Sequence, residues 1–192
     1  TKQREAEVRF LRAHFYFKLL TMYRQIPWID EKVYEDKTTE STSNTQFTYE
    51  ELWQKVIADF QTAYDVLPAK QKDGGRVNKI AAAGYLAKCY LTIAWGDGYE
   101  ATDGVDHINK EYMQKVIDYT DVVKNSDYGY MADFGDIFLP DNKNSKESVF
   151  AVQASDYSED HTTFGRGNWS NVLNGCWGIW SCGWDFHKPS QN

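Results

Sequence analysis

From Lys2 to Arg24, apolar residues recur at Ala6, Phe10, Ala13, Phe17 and Leu20, the spacing of one face of a helix. A second set, Val8, Leu11, Phe15, Leu19 and Met22, covers another face of the same helix. A helix apolar on two sides is expected to lie between neighbours on both. Pro27 ends it, because proline pushes the residue before it out of helical geometry, and Trp28 and Ile29 follow as an extended segment. Residues 35 to 46 are polar and rich in Ser and Thr, so they read as a loop.

Thr48 precedes Glu51 by three residues, the arrangement of a capping box, in which each side chain satisfies the other's free backbone N–H. The helix that follows, Tyr49 to Leu67, carries Leu52, Val56, Phe60, Ala63 and Leu67 on one face and stops before Pro68. The turn Asp73-Gly74-Gly75 leads into a third helix, Asn78 to Trp95, whose Ala81, Ala82, Ala83, Gly84 and Ala87 permit close helix–helix approach. A fourth, Lys110 to Lys124, has Tyr112, Val116, Tyr119 and Val123 in register. The spacing Val56-x3-Phe60-x2-Ala63-x4-Pro68 follows the second helix of a tetratricopeptide repeat, and Val116-x3-Thr120-x2-Val123 echoes it. Helical hairpins of this kind bury their apolar faces only by stacking.

After Tyr130 the periodicity changes. Phe134 to Leu139 is a short apolar run, and Ser148 to Gln153 alternates at period two, predicting a strand or extended segment. Tyr157 to Phe186 mixes Gly, Asn and Ser with aromatic residues and shows no helical period. The expected architecture is therefore all-α: tetratricopeptide-like hairpins over 1–127, then a loop-rich, aromatic-rich segment over 128–192 of the same domain, with minor extended structure. The chain opens inside a helical pattern without Met and stops after a Trp-rich stretch, so truncation at both ends is the expectation.

Composition narrows the function. The 192 residues carry a formal net charge of -7, and no basic run offers the clustered Lys and Arg that nucleic acid or anionic lipid requires. Nucleic acid is excluded as a partner on this ground. Seven Trp and thirteen Tyr raise the aromatic share to 16%, above what a core of this size needs. Cys89 reads as a small core residue, while Cys176 and Cys182 leave pairing and two free thiols equally open. No zinc, phosphate-loop or cofactor signature is present, and Asp97, Asp103 and Asp106 lack the Gly and terminal Glu of a calcium loop. Trp28 and Trp95, at helix ends, are expected to be packing residues; Arg9, Arg12 and Arg76 are expected to make ion pairs or cap carbonyls.

Four stretches carry a resemblance: Ala6-Glu7-Val8-Arg9-Phe10-Leu11-Arg12-Ala13-His14-Phe15-Tyr16-Phe17; Arg24-Gln25-Ile26-Pro27-Trp28-Ile29; Gly75-Arg76-Val77-Asn78-Lys79-Ile80-Ala81-Ala82, continuing to Ala87-Lys88-Cys89-Tyr90-Leu91; and Phe134-Gly135-Asp136-Ile137-Phe138 followed by Asn144 and Glu147-Ser148-Val149-Phe150. Their content and order over residues 4 to 153 resemble the SusD/RagB family of Bacteroidetes outer-membrane nutrient-binding lipoproteins. The resemblance implies a surface-exposed lipoprotein of the outer membrane, held there only by a lipid anchor outside this chain. It also implies a helical scaffold packed against a TonB-dependent outer-membrane transporter (SusC-like), and a neighbouring loop-rich part that captures oligosaccharides or polysaccharides without cofactor, metal or catalysis.

The aromatic segment fits such a role on its own chemistry. A pyranose presents an apolar face of C–H bonds and a rim of hydroxyls; an aromatic ring covers the face while Asp, Asn or Gln bonds the rim. Tyr157, Trp169, Asn171, Asn174, Trp177, Trp180, Trp184 and Asp185 supply that mixture, with Trp169, Trp177 and Trp180 the preferred stacking residues. Any one of these Trp residues is as readily a packing residue. Against them stand two other readings: a helical-repeat module that binds proteins and has no glycan site, and a glycoside hydrolase fragment using carboxylates among Asp156, Glu159 and Asp160 beside His161.

Overall fold

A computed structural model describes residues 1–95 and 108–153. Residues Thr1–Ala151 form one compact unit. Its described residues form five α-helices: α1 (Lys2–Tyr23), α2 (Glu31–Glu35), α3 (Tyr49–Val66), α4 (Lys79–Ala94) and α5 (Lys110–Lys124). Short 3-10 turns occupy Thr39–Ser41, Phe134–Phe138 and Pro140–Asn142. The all-α expectation holds, and each of the four long helices falls within a residue or so of its expected limits. None of the described helices is long and apolar enough to cross a membrane.

Local chemistry explains the boundaries. Thr48 accepts from the Glu51 N–H at 3.2 Å, and Glu51 accepts from the Thr48 N–H at 2.7 Å, so the capping box starts α3 as expected. This hydrogen bond from the Thr48 N–H holds the Glu51 carboxyl below the usual range. Asn78 caps α4 through its Oδ1, which accepts from the Ala81 N–H at 2.9 Å, and Asn109 caps α5 in the same way. Arg24, at the end of α1, has φ 61°, a left-handed conformation that breaks the helix before Pro27.

The long helices stack in chain order as antiparallel neighbours. Phe10 meets Phe60 and Phe17 meets Trp53, which runs α1 against α3; Phe60 stacks on Tyr85, which runs α3 against α4; Tyr90 meets both Tyr112 and Tyr119 on α5. This is the hairpin stacking that the repeat-like spacing predicts. The residues named by periodicity, Ala6, Phe10, Ala13 and Leu20 of α1 and Leu52, Val56, Phe60 and Ala63 of α3, are all buried, and Trp53 of α3 and Ala82, Leu86 and Cys89 of α4 join them in the core. Burial raises the Cys89 thiol well above its ordinary range, as befits an inert core residue. Trp28 is also buried, stacked on Tyr16 at 4.2 Å with Arg12 and Lys55 near its ring.

Three expectations require correction. The second face of α1 is not covered: Val8 is 66% exposed, Phe15 60% and Met22 72%. Its neighbours α3 and α4 both pack on the Ala6–Phe10–Ala13 side. Trp95, which ends α4, stays exposed rather than packed. Ser148 to Gln153 forms no strand, and no strand occurs among the described residues. The reason is visible in consecutive residues: Val149 and Phe150 both pack toward the core, so the two-residue alternation that a strand needs is broken. The run Phe134 to Leu139 likewise stays on the surface, with Phe134 and Phe138 in edge contact with each other and both exposed.

Two carboxylates are buried beneath this stack. Asp59 of α3 takes a bidentate pair of hydrogen bonds from Arg12 (Nε to Oδ2 2.6 Å, Nη2 to Oδ1 2.8 Å) and a third from Arg9 at 3.3 Å. Arg12 also reaches Glu31 at 2.6 Å, tying in the first turn of α2. Replacing Asp59 with Ala strands two partly buried guanidinium groups. We expect a loss of about 2–3 kcal/mol in urea unfolding, in line with removing charge-assisted hydrogen bonds. Asp65→Ala, on the exposed face of the same helix, is expected to cost less than about 0.5 kcal/mol. Equal losses for the two variants would remove the clamp from any special role.

Candidate functional site

The Asp59–Arg12 clamp fixes α1 on α3, and a second clamp fixes α1 to the connection between α3 and α4. Glu7 of α1 is buried and accepts hydrogen bonds from Arg76, Arg4 (3.3 Å) and Gln71 (3.3 Å). Gln71 also donates to the Val77 carbonyl at 2.8 Å. Arg9, Arg12 and Arg76 thus all serve ion pairs, the structural role expected for them.

With its arginine tied down, the connection forms one wall of a cleft of about 770 Å³. The second wall is the C-terminal turn of α5 with residues 125–128, and the third is a strap, residues 144–149. Asn78 joins them. Its Nδ2 donates to the Val149 carbonyl at 2.9 Å and to the Tyr128 hydroxyl at 3.1 Å, while its Oδ1 caps α4. The strap is further held by the Gly129 N–H donating to the Lys146 carbonyl at 3.0 Å and by Glu147 accepting from the Met131 N–H at 3.0 Å. Ile80, Val122, Val149 and Tyr128 give the cleft apolar surface, and its rim is charged.

Other ionisable groups of the scaffold are packing groups. His14 lies among the rings of Phe15, Tyr85 and Phe150, and burial, helped by Lys18 and Lys88, lowers its pKa from the ordinary value. Tyr119 donates to Gln61 Oε1 at 2.6 Å, and burial pushes its hydroxyl up to about 12. Among the described residues no group of three or more His, Cys, Asp or Glu side chains is placed to hold a metal ion.

The residues named from sequence for glycan contact, Tyr157, Trp169, Asn171, Trp177, Trp180, Trp184 and Asp185, lie outside the described residues, as do Asn174, Cys176, Cys182, the carboxylates at 156, 159 and 160, and the aspartates at 97, 103 and 106. What the sequence reading missed is the cleft. Its signals were local, a Gly-Gly turn and an asparagine cap, and nothing in one-dimensional spacing brings residues 70, 125 and 146 together.

A family described as starch-binding and associating with the outer membrane, SusD-like, matches residues 1–91. A SusD-like protein of Bacteroides ovatus is 31% identical over 149 residues, which cover 77% of this chain and 26% of that protein. The chain belongs to the SusD-like (SusD/RagB) family. Its fold agrees: a crystal structure solved with a xylogluco-oligosaccharide superposes with a TM-score of 0.64 at 27% identity, covering 81% of this chain and 30% of that one. A laminarin-binding SusD-like protein, at 21% identity, shares the fold with a TM-score of 0.64 over 88% of this chain and 35% of its own. The SusD-like chain described here thus spans about a quarter to a third of the length of these relatives.

Within this SusD-like scaffold Asn78 is the residue on which the cleft depends. Asn78→Ala removes a helix cap and two hydrogen bonds, and should cost roughly 2–4 kcal/mol in chemical denaturation. Asn78→Asp keeps the cap acceptor and loses the donors, so about half of that loss is expected. A loss from Asn78→Asp as large as that from Asn78→Ala would show that the links to the strap and to Tyr128, rather than the cap, carry the whole effect.

Proposed function

We propose that this protein binds oligosaccharides or polysaccharides at the cell surface without catalysis and passes them to a TonB-dependent outer-membrane transporter. The observation that carries the reading is its likeness, at 27% identity, to a protein whose structure was solved with a xylogluco-oligosaccharide. The family's description as starch-binding and outer-membrane-associated supports both the ligand class and the location. A lipid anchor is the means of attachment that the reading requires.

Chemistry supports the division of labour. The buried carboxylates among the described residues, Glu7 and Asp59, are occupied by arginines and serve packing. The aromatic and amide residues between Tyr157 and Asp185 have the composition that stacks on a sugar face and bonds its rim. Trp169, Trp177 and Trp180 are the stacking residues in this reading, with Tyr157, Asn171, Trp184 and Asp185 beside them.

Intrinsic Trp fluorescence of the intact protein, titrated with α-glucans, mannans, xylans, xyloglucans and host glycans, tests it. A saturable change with one class is expected, abolished by Trp177→Ala or Trp180→Ala. No response to any of these glycans would sink the glycan reading.

One observation favours a protein partner as well. Val8, Leu11, Phe15, Leu19 and Met22 make a stripe along α1 at helical spacing, and all five are exposed. Such a stripe suits burial against another protein surface, as delivery to a transporter requires. Phe15→Ser combined with Met22→Ser should weaken co-purification with the transporter while leaving sugar binding and the unfolding midpoint nearly unchanged. Unaltered co-purification would remove this face from the interface.

A further inference from the structure

We propose that the cleft between the α3–α4 connection, the end of α5 and the strap is a second saccharide-binding site, built on the helical scaffold and separate in its residues from the aromatic segment. Its size comes first. A volume of about 770 Å³ falls within the roughly 300–1,000 Å³ typical of small-molecule sites.

Charge then selects the ligand class. Four carboxylates (Asp73, Asp118, Asp121 and Asp127) and four cations (Lys70, Arg76, Lys79 and Lys146) line the cleft, so it favours neither anions nor cations. Several of these are already engaged: Arg76 with Glu7, Lys79 over the ring of Tyr64, Asp73 with the Gly75 N–H and Asp118 with Gln114. Two of each sign remain at the exposed rim, Lys70 and Lys146, Asp121 and Asp127. A phosphate or polyanion would meet the aspartates, and a polycation the lysines. A neutral ligand with many hydroxyls uses both, because each hydroxyl donates to a carboxylate and accepts from an ammonium group.

The apolar part of the lining completes the match. Ile80, Val122 and Val149 offer aliphatic surface, and half-buried Tyr128 adds a ring, the counterpart of the C–H face of a pyranose. The walls are pre-organised, since Asn78 bonds the strap and Tyr128 at once and Gly129 bonds Lys146. A ligand therefore need not order them. The ligand class matches that of the proposed function, but the argument uses none of its residues.

The test is a backbone amide NMR titration of the intact protein with D-glucose, D-galactose, D-mannose and D-xylose, each to high millimolar concentration. Saturable shifts at residues 125–129 and 145–149, whatever the aromatic segment does, are expected with at least one sugar. Asp121→Ala with Asp127→Ala should weaken that response roughly tenfold, the equivalent of losing one charge-assisted hydrogen bond. Both positions are exposed, so the variant should fold. Trp177→Ala should leave the response unchanged. The absence of saturable shifts with all four sugars, or an equal response in the double variant, overturns the proposal. A response here, with the aromatic segment silent to every glycan, would overturn the main site and keep this one.

Discussion

The carboxylate of Asp59 is the interaction on which the scaffold's geometry turns. It is buried at the α1–α3 interface, where an unpaired charge is unfavourable by several kcal/mol, and it is neutralised by a bidentate arginine and a second arginine from α1. Replacing such a cluster with apolar groups is often neutral for stability, so its value lies elsewhere. A planar fork on a carboxylate tolerates little sliding, which fixes the register of α1 against α3 far more sharply than Ala and Leu contacts do. The same Arg12 reaches Glu31, and this contact sets where the chain re-enters after Pro27. The hydrogen bonds to Asp59, with a smaller contribution from Glu31, raise the Arg12 pKa further, so Arg12 stays charged across the physiological range.

Register, once fixed, places the aromatic residues. Phe10 lies between the two arginines of the clamp and meets Phe60, Tyr85 and Phe150 edge-on at 5.2, 5.6 and 5.4 Å. One side chain thereby joins α1 to α3, to α4 and to Phe150, the residue that follows the strap. A turn earlier, Glu7 holds Arg76 and Gln71, and so the connection that walls the cleft. The cleft's geometry is thus set from α1, a helix that does not line it. Changes on α1 far from any ligand should be felt there through these two contacts.

The sequence reached the scaffold because the scaffold's rules are local. Helical spacing picks out Phe10, Val56 and Phe60 as core, the Thr48–Glu51 pair gives a start, and Pro27 and Pro68 give stops. It failed where packing partners decide. Nothing in the spacing of Val8, Phe15 and Met22 tells whether a neighbour covers them, and the apolar stripe that periodicity alone would bury is exposed. Val149 and Phe150 point the same way because the Asn78 amide and the Phe10 ring hold them, contacts about 70 and 140 residues away in sequence. Two-residue alternation is only a weak prior against such a constraint.

Function is less legible than fold for a related reason. Stacking, hydrogen bonding and charge balance are set by where side chains from distant segments converge, and composition alone identifies only the kind of chemistry on offer. The Trp-rich stretch shows this from one side: its residues are right for a sugar, yet the same residues suit a core equally well. The cleft shows it from the other, since Lys70, Asp127 and Lys146 are unremarkable as sequence and acquire meaning only from the cleft they line together. A scaffold that keeps its helices in register by buried ion pairs can vary such rim residues freely. Asp121 and Asp127 carry none of the ion pairs among the described residues, so substitution there should change the charge of the cleft rim while leaving the scaffold about as stable as before.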